Sequence, residues 1–324
     1  MRATLRRRSH GDLHVSRPSS RAAFPRTPMT ALTPQNTPLL GFIGFGAMAT
    51  RMGVHLRNAG YGVIAYTPSG KSGDPAVEIL PTARAVAEKA DVVIACVPDD
   101  EALEASMYGE NGALVGMKAG GVLLNTSSVS PEATDALLAA GRAKGVTVLD
   151  APVSGSTPEA EAHALVILVG GSVEDVANAA PIFDTIGKLT IHAGPSGSGA
   201  KLKLVVNGIM GAGLTALAET VSYGLASGLD RSMLFDALDQ VAVISPHHKR
   251  KLRAAKTGDF TSQFPSRLMQ KDMRLLVDAI ARQAIPAPTL AGALQVLSLG
   301  RHAHPNDDYS AAIAIMERFA ANDA

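Results

Sequence analysis

Gly44-Phe45-Gly46-Ala47-Met48-Ala49 decides how the rest of the chain is read. It is a G-x-G-x-x-A sequence set between an apolar run, Leu40–Phe45, and a helix-like stretch, Met48–Asn58. The glycines allow a tight turn and let backbone N–H groups approach a pyrophosphate closely, while the helix start adds a favourable dipole. Glycine-rich turns are common, so the motif alone says little. Here a second apolar run, Val63–Tyr66, follows the helix, and strand–turn–helix–strand is the context the motif needs. A dinucleotide site is expected, with Gly44, Phe45, Gly46, Ala47 and Met48 at the cofactor.

Outward from that unit the alternation continues. Further strand candidates are Val92–Val97, Val122–Asn125, Val146–Leu149, Leu165–Val169 and Leu189–His192, with helix-like stretches such as Pro131–Lys144 and Val173–Ile186 between them. Ser130 and Ser172 read as helix caps, and Pro131 suits the first helical position. Short apolar runs alternating with helices predict a parallel sheet with crossover helices. After Gly194 the strands stop. Helical stretches follow at 198–226, Arg231–Val241, Pro265–Arg282, Thr289–Leu299 and Tyr309–Ala321. The fold class is therefore α/β, an N-terminal Rossmann domain over 39–195 followed by an all-α domain over 196–324 that a long helix enters. Residues 1–38 are rich in Arg, Ser and Pro, with Asp12 the only acid, and stay outside this scheme. They read as an upstream extension ahead of a start at Met29, which goes with a cytoplasmic protein, or as an organelle transit peptide.

The end of the second strand distinguishes NAD from NADP, because a carboxylate there holds the ribose hydroxyls. This chain has Tyr66-Thr67-Pro68-Ser69-Gly70-Lys71 instead. Thr67, Ser69 and Lys71 offer hydroxyls and a cation to a 2′-phosphate, so NADP is favoured, with NAD as the alternative.

Chemistry is carried by Gly199–Asn207, GAKLKLVVN, just after the glycine-rich GPSGSG. Residues four apart share a helix face, so Lys203 and Asn207 point together while Lys201 falls near the opposite side. An ammonium that can give or take a proton, beside an amide that can hold an oxygen, suits interconversion of a carbonyl and an alcohol. A free lysine titrates at about 10.4 and must be lowered to work near neutrality.

Composition narrows the alternatives. The net charge is +1 and there is no Trp, so nothing resembles a basic, aromatic-studded nucleic-acid surface. Cys96 is the lone cysteine, which leaves no intrachain disulfide and no cysteine-cluster zinc site. No wholly apolar run reaches the roughly 18 to 20 residues that span a bilayer, so no membrane partner is expected. His302, His304, Asp307 and Asp308 surround Pro305 and Asn306 and read as a polar loop, and His247 and His248 follow Pro246 at a helix start; no metal is assigned.

Several spaced motifs in order resemble the β-hydroxyacid dehydrogenase family, which includes 3-hydroxyisobutyrate dehydrogenases and glyoxylate/succinic semialdehyde reductases. They are GFIGFGAMATRM at Gly41–Met52, CVPDD at Cys96–Asp100, NTSSVSPEA at Asn125–Ala133, DAPVSGS at Asp150–Ser156, GPSGSGAKLKLVVNG at Gly194–Gly208 and LMQKD at Leu268–Asp272. The resemblance implies Lys203 as general acid/base and Asn207 as its helper. It implies Ser154, Gly155 and Ser156 as receivers of a substrate carboxylate, and Ser127 beside both nicotinamide and substrate. Val97 and Pro98 would line the cofactor, and Lys271 would close over it. A homodimer or homotetramer built through the helical domain, and a small carboxylate substrate, are further implications. Glu159 and His163 stand where the family usually has glycine, and Ser156 where many members do; these changes bear on which acid is accepted. An imine reductase shares the architecture but generally lacks the lysine, and a non-catalytic nucleotide-binding module would have no use for the Lys203–Asn207 pair.

Overall fold

The computed structural model describes residues 37–320. The expectations for the Arg- and Ser-rich leader and for Met29 concern earlier residues and lie outside the described ones. The chain runs β1 (Leu39–Ile43), α1 (Ala47–Asn58), β2 (Gly62–Tyr66), β3 (Glu78–Ile79), α2 (Ala83–Lys89), β4 (Val92–Ala95), α3 (Asp100–Met107), α4 (Ala113–Gly116) and β5 (Val122–Asn125). It continues through α5 (Pro131–Lys144), β6 (Thr147–Asp150), β7 (Val153–Ser154), α6 (Thr157–Glu161), β8 (Leu165–Gly170), α7 (Val173–Ile186) and β9 (Gly187–Gly194). Helices follow: α8 (Ser198–Ala226), α9 (Arg231–Gln240), α10 (Pro246–Thr257), α11 (Ser266–Arg282), α12 (Pro288–Ala303) and α13 (Ala311–Glu317).

The sheet order is β3-β2-β1-β4-β5-β6-β8-β7, with β9 beside β8. From β3 to β6 every pairing is parallel, as the alternation predicts. The all-parallel expectation fails at β8, which runs antiparallel to β6 and β7 and parallel to β9. The physical reason is the connection. The link between β6 and β8 is given to β7, which pairs antiparallel with β8, and to the five-residue α6, so it holds no helix able to cross the sheet and return the chain parallel to β6.

Both faces of the sheet are covered, which is why β1, β4 and β5 are apolar along nearly their whole length. Leu40, Phe42 and Ile94 pack with Ala49, Met52 and Leu56 of α1 and with Ile182 and Phe183 of α7. On the other face Ile43, Val93 and Leu123 meet Val86 of α2, Leu103 of α3 and Leu137 of α5. A separate core joins Leu214, Ala218 and Val221 of α8 to Phe235, Leu252, Met269, Met273, Leu297 and Ile313.

α8 is the element that positions the site. It is long and apolar enough to cross a bilayer by length and composition, although half of its most apolar window is buried against the rest of the protein. Its first turn is pressed onto the sheet. A Cβ on Gly199 would lie 2.3 Å from the Leu168 carbonyl and 2.5 Å from that of Asp150, so only glycine fits. Asp150, fully buried at the end of β6, accepts the N–H of Gly197 at 2.7 Å and of Ala200 at 2.9 Å. Those are orphan donors of the helix start, satisfied here by a strand instead of a local cap. Burial raises the pKa of Asp150, against the pull of these backbone N–H groups.

Candidate functional site

The cofactor side of the site is built where β1 turns into α1. Gly44 has φ of +86°, and a Cβ there would lie 2.4 Å from the Cys96 carbonyl. Gly46 caps α1 with no side-chain hydrogen bond, and a Cβ on it would meet nothing within 4 Å. The first N–H groups of α1 thus face an open cradle that a pyrophosphate fits. Ala47 is exposed and Met48 half-buried. Phe45 differs from the expectation in one respect. Its ring is buried edge-on against Phe42, centroids 5.3 Å apart, so only its backbone faces the cradle.

Beyond β2 the turn is solvent-exposed and free of carboxylates from Thr67 to Lys71. The Thr67 hydroxyl donates to the Lys71 carbonyl at 3.0 Å, and the Lys71 N–H points to Ser69 Oγ at 3.4 Å. The loop is thereby folded back on itself, with the exposed Lys71 at its end. Val97 and Pro98 follow β4, and the Val97 N–H donates to Ser127 Oγ at 3.0 Å. This bond ties the end of β4 to the loop after β5, so Ser127, itself buried, is fixed at the carboxyl edge of the parallel strands where open α/β sheets collect ligands.

Lys203 and Asn207 both face inward from α8, with relative exposures of 7% and 1%, while Lys201 is exposed. The predicted face is therefore the buried one. Burial lowers the Lys203 pKa from 10.5 to about 8; the nearby negative charge of Asp272 resists the shift and the positive charge of Lys271 assists it. Asn207 Nδ2 donates to Asp272 Oδ2 at 2.5 Å, and Asn207 Oδ1 is buried without a partner. Lys271 Nζ lies 2.7 Å from Asp272 Oδ1 and donates to the Ser128 carbonyl. Two lysines, one carboxylate and one amide thus meet where α8, α11 and the loop after β5 converge. The unpartnered Asn207 oxygen costs about 1–3 kcal/mol unless a donor reaches it. A substrate hydroxyl would supply one. Ser127, Lys271, Lys203 and Asn207 are brought together by three separate stretches of chain.

Asp272 is a site residue that sequence reasoning missed. The signal was present in LMQKD, next to Lys271, but a carboxylate adjacent to a lysine ordinarily reads as surface charge. Asp150 was missed for a similar reason, as one letter of a motif with no role attached. Ser154 is half-buried, Gly155 is exposed with φ of +131°, and Ser156 is buried at the start of α6. Both donors of Ser156, N–H and hydroxyl, go to Glu159 Oε2 at 2.8 Å.

Among the described residues no three His, Cys, Asp or Glu side chains are grouped to hold a metal ion. His304 lies 3.0 Å from Asp307, and Asp308 is spent on Lys251 Nζ at 2.8 Å in a buried pair.

Residues 39–194 match the family described as the NAD binding domain of 6-phosphogluconate dehydrogenase. Residues 197–316 match the NAD-binding family of NADP-dependent 3-hydroxyisobutyrate dehydrogenase. The 2-(hydroxymethyl)glutarate dehydrogenase of Eubacterium barkeri is 32% identical over 86% of this chain and 95% of its own. Glyoxylate/succinic semialdehyde reductase 1 of Arabidopsis thaliana is 31% identical over 85% and 96%. The solved structure of Mycobacterium tuberculosis 3-hydroxyisobutyrate dehydrogenase with L-serine superposes with a TM-score of 0.77 at 25% identity, covering 86% of this chain and 99% of that one.

Proposed function

We propose that this chain, which belongs to the β-hydroxyacid dehydrogenase family and is an NAD(P)-dependent oxidoreductase acting on hydroxyl groups, interconverts a small β-hydroxy acid and its semialdehyde with Lys203 as the general acid and base. The observation that carries this is the Lys203 ammonium, buried and held near a pKa of about 8, one turn from the unpartnered Oδ1 of Asn207. The nicotinamide, when bound, supplies or accepts the hydride. Lys203 handles the proton. With a pKa of about 8 it is roughly nine-tenths protonated at pH 7, ready to donate to a carbonyl oxygen, and it becomes a base at higher pH when an alcohol is oxidised. Asn207 has one amide N–H and its carbonyl left over after bonding Asp272, enough to hold the reacting oxygen and steady the ammonium. Ser127 and the Ser154–Ser156 loop receive the substrate carboxylate, and the backbone at Gly44 and Gly46 takes the pyrophosphate.

The preferred cofactor in this reading is NADP, supported by the absence of an acid between Thr67 and Lys71 and by the exposed Lys71 in that turn. A glyoxylate or succinic semialdehyde reductase is the second reading, favoured by Ser156 and by the same turn. The protein works as a homodimer or homotetramer through α8. Val205, Ile209, Ala216 and Tyr223 form an exposed stripe along one side of that helix, since at 100° per residue they fall within about 40° of one another. The test is loss of reduced-nicotinamide absorbance with methylmalonate, tartronate and succinic semialdehydes and glyoxylate, using NADPH and NADH, with Lys203→Ala as control. Turnover by the alanine variant equal to the parent removes Lys203 from its role, and turnover of imines alone replaces the reaction class.

A further inference from the structure

The loop that is to receive the substrate carboxylate already holds one. Glu159 Oε2 takes the Ser156 N–H and hydroxyl, each at 2.8 Å, and Glu159 Oε1 lies 2.8 Å from Arg250 Nη1. Burial opposes the charge on Glu159, but the Ser156 donors and Arg250 outweigh it and keep its pKa below the usual range, so it is anionic at neutral pH. Ser156 has two donors to offer an anion, and both are occupied by the chain's own side chain.

Arg250 reaches this loop from α10, in the helical domain, and is braced from behind. Its Nη2 lies 3.3 Å from His247 Nδ1, and His247 Nε2 lies 2.5 Å from the hydroxyl of the buried Tyr309. Its Nε is buried without a partner. Nη1 and Nη2 form one edge of the planar guanidinium, and that edge can take both oxygens of a carboxylate that Nη1 already grips by one.

We propose that Glu159 is an internal stand-in for the substrate carboxylate and thereby a determinant of specificity. An anionic substrate displaces Glu159 from Ser156, and Arg250 takes up the released carboxylate. The proposal rests on the reading of the Ser154–Ser156 loop as the carboxylate receiver. Substrates that present a carboxylate to Ser156 bear the cost of this exchange, and uncharged aldehydes do not.

The plain alternative is a capping box closing α6, with a surface ion pair attached. The two accounts differ in sign. If the contacts only brace α6, removing either partner loosens the same loop, and both changes act alike. If Glu159 competes with the substrate, Glu159→Gln frees the receiver while Arg250→Met leaves an unneutralised anion on it. Steady-state kinetics of the full chain with NADPH, comparing succinic semialdehyde with butanal, separate them. Glu159→Gln is expected to lower KM for succinic semialdehyde about tenfold relative to butanal, the scale of lost charge-assisted hydrogen bonds, and Arg250→Met to raise it several-fold. Glu159→Gly is the second variant should the glutamine form not fold. Shifts of the same sign, or equal shifts for both aldehydes, overturn the proposal and leave the functional reading intact. A parent with no turnover of any semialdehyde overturns that reading, and the proposal falls with it.

Discussion

Replacing Lys203 with methionine should abolish turnover and make the fold more stable. In the unfolded chain this lysine keeps its proton up to a pH near 10.5, whereas in the folded protein it gives the proton up near 8. The drop of about 2.5 units, at about 1.36 kcal/mol per unit, means that folding with a charged Lys203 costs about 3 kcal/mol. The sign follows from proton counting. Below pH 8 both states carry the proton and the cost is present in full; it fades between pH 8 and 10.5, where the folded state has shed the proton and the unfolded chain has not. Methionine fills much of the same space with no charge to desolvate. Urea unfolding at pH 7 should therefore show the variant about 3 kcal/mol more stable, with most of the gap closed by pH 10.5, while its kcat falls to background. Equal stability at pH 7, or a gap that ignores pH, would mean that the ammonium is not held out of water, and the argument for its lowered pKa would go with it.

Three further outcomes follow from the same cluster and its support. Asp272→Asn removes the charge that resists the lowering of Lys203, so the alkaline limb of the pH–rate profile for reduction should move to lower pH by about one unit. Lys271→Met removes a like charge and should move that limb the other way, with a weakened hold on the cofactor seen as a raised cofactor KM; limbs that stay put in both variants would separate Lys203 from its neighbours. Gly199→Ala places a methyl group 2.3 Å from the Leu168 carbonyl and should cost roughly 2–3 kcal/mol in urea unfolding, with kcat depressed because Lys203 lies one turn further along; a stability unchanged from the parent would refute the close approach.

The parts that could be read in advance were those written in local chemistry. Ser130 with Pro131, and Gly145 in the left-handed region, bound α5 at both ends, and the expected Pro131–Lys144 is the observed helix. Gly44 announces its turn because no other residue serves there, at φ of +86° and against the Cys96 carbonyl. The start of α10 at Pro246 was legible, but its run to Thr257 was not, because one of its inward positions is Lys251, and a helix that buries a lysine does not look amphipathic. α2 and α3 were missed because each offers only two short turns of pattern, despite Thr82 and Asp99 capping them at 3.0 and 2.9 Å. Lys203 and Asn207 could be paired because a helix fixes neighbours four apart. Asp272 could not be placed beside them, since it is 65 residues further along and only the packing of α11 on α8 delivers it. The reversal at β8 is likewise a matter of what the link forms, a strand that pairs with β8 and one short helix, which apolar runs do not report.

The grip of Asp150 on Gly197 and Ala200 has a practical bearing on engineering. The helix that carries Lys203 belongs by sequence to the second lobe, yet its first turn is riveted to the nucleotide-binding sheet. Because the rest of α8 packs against α11 and Asn207 holds Asp272, a hinge between the lobes would have to act through α8 itself. A hybrid spliced in the 194–197 linker would import the donor's proton-handling group along with a foreign anchor for it. A splice beyond Asn207 would keep anchor and amine together and exchange only the surroundings that tune them.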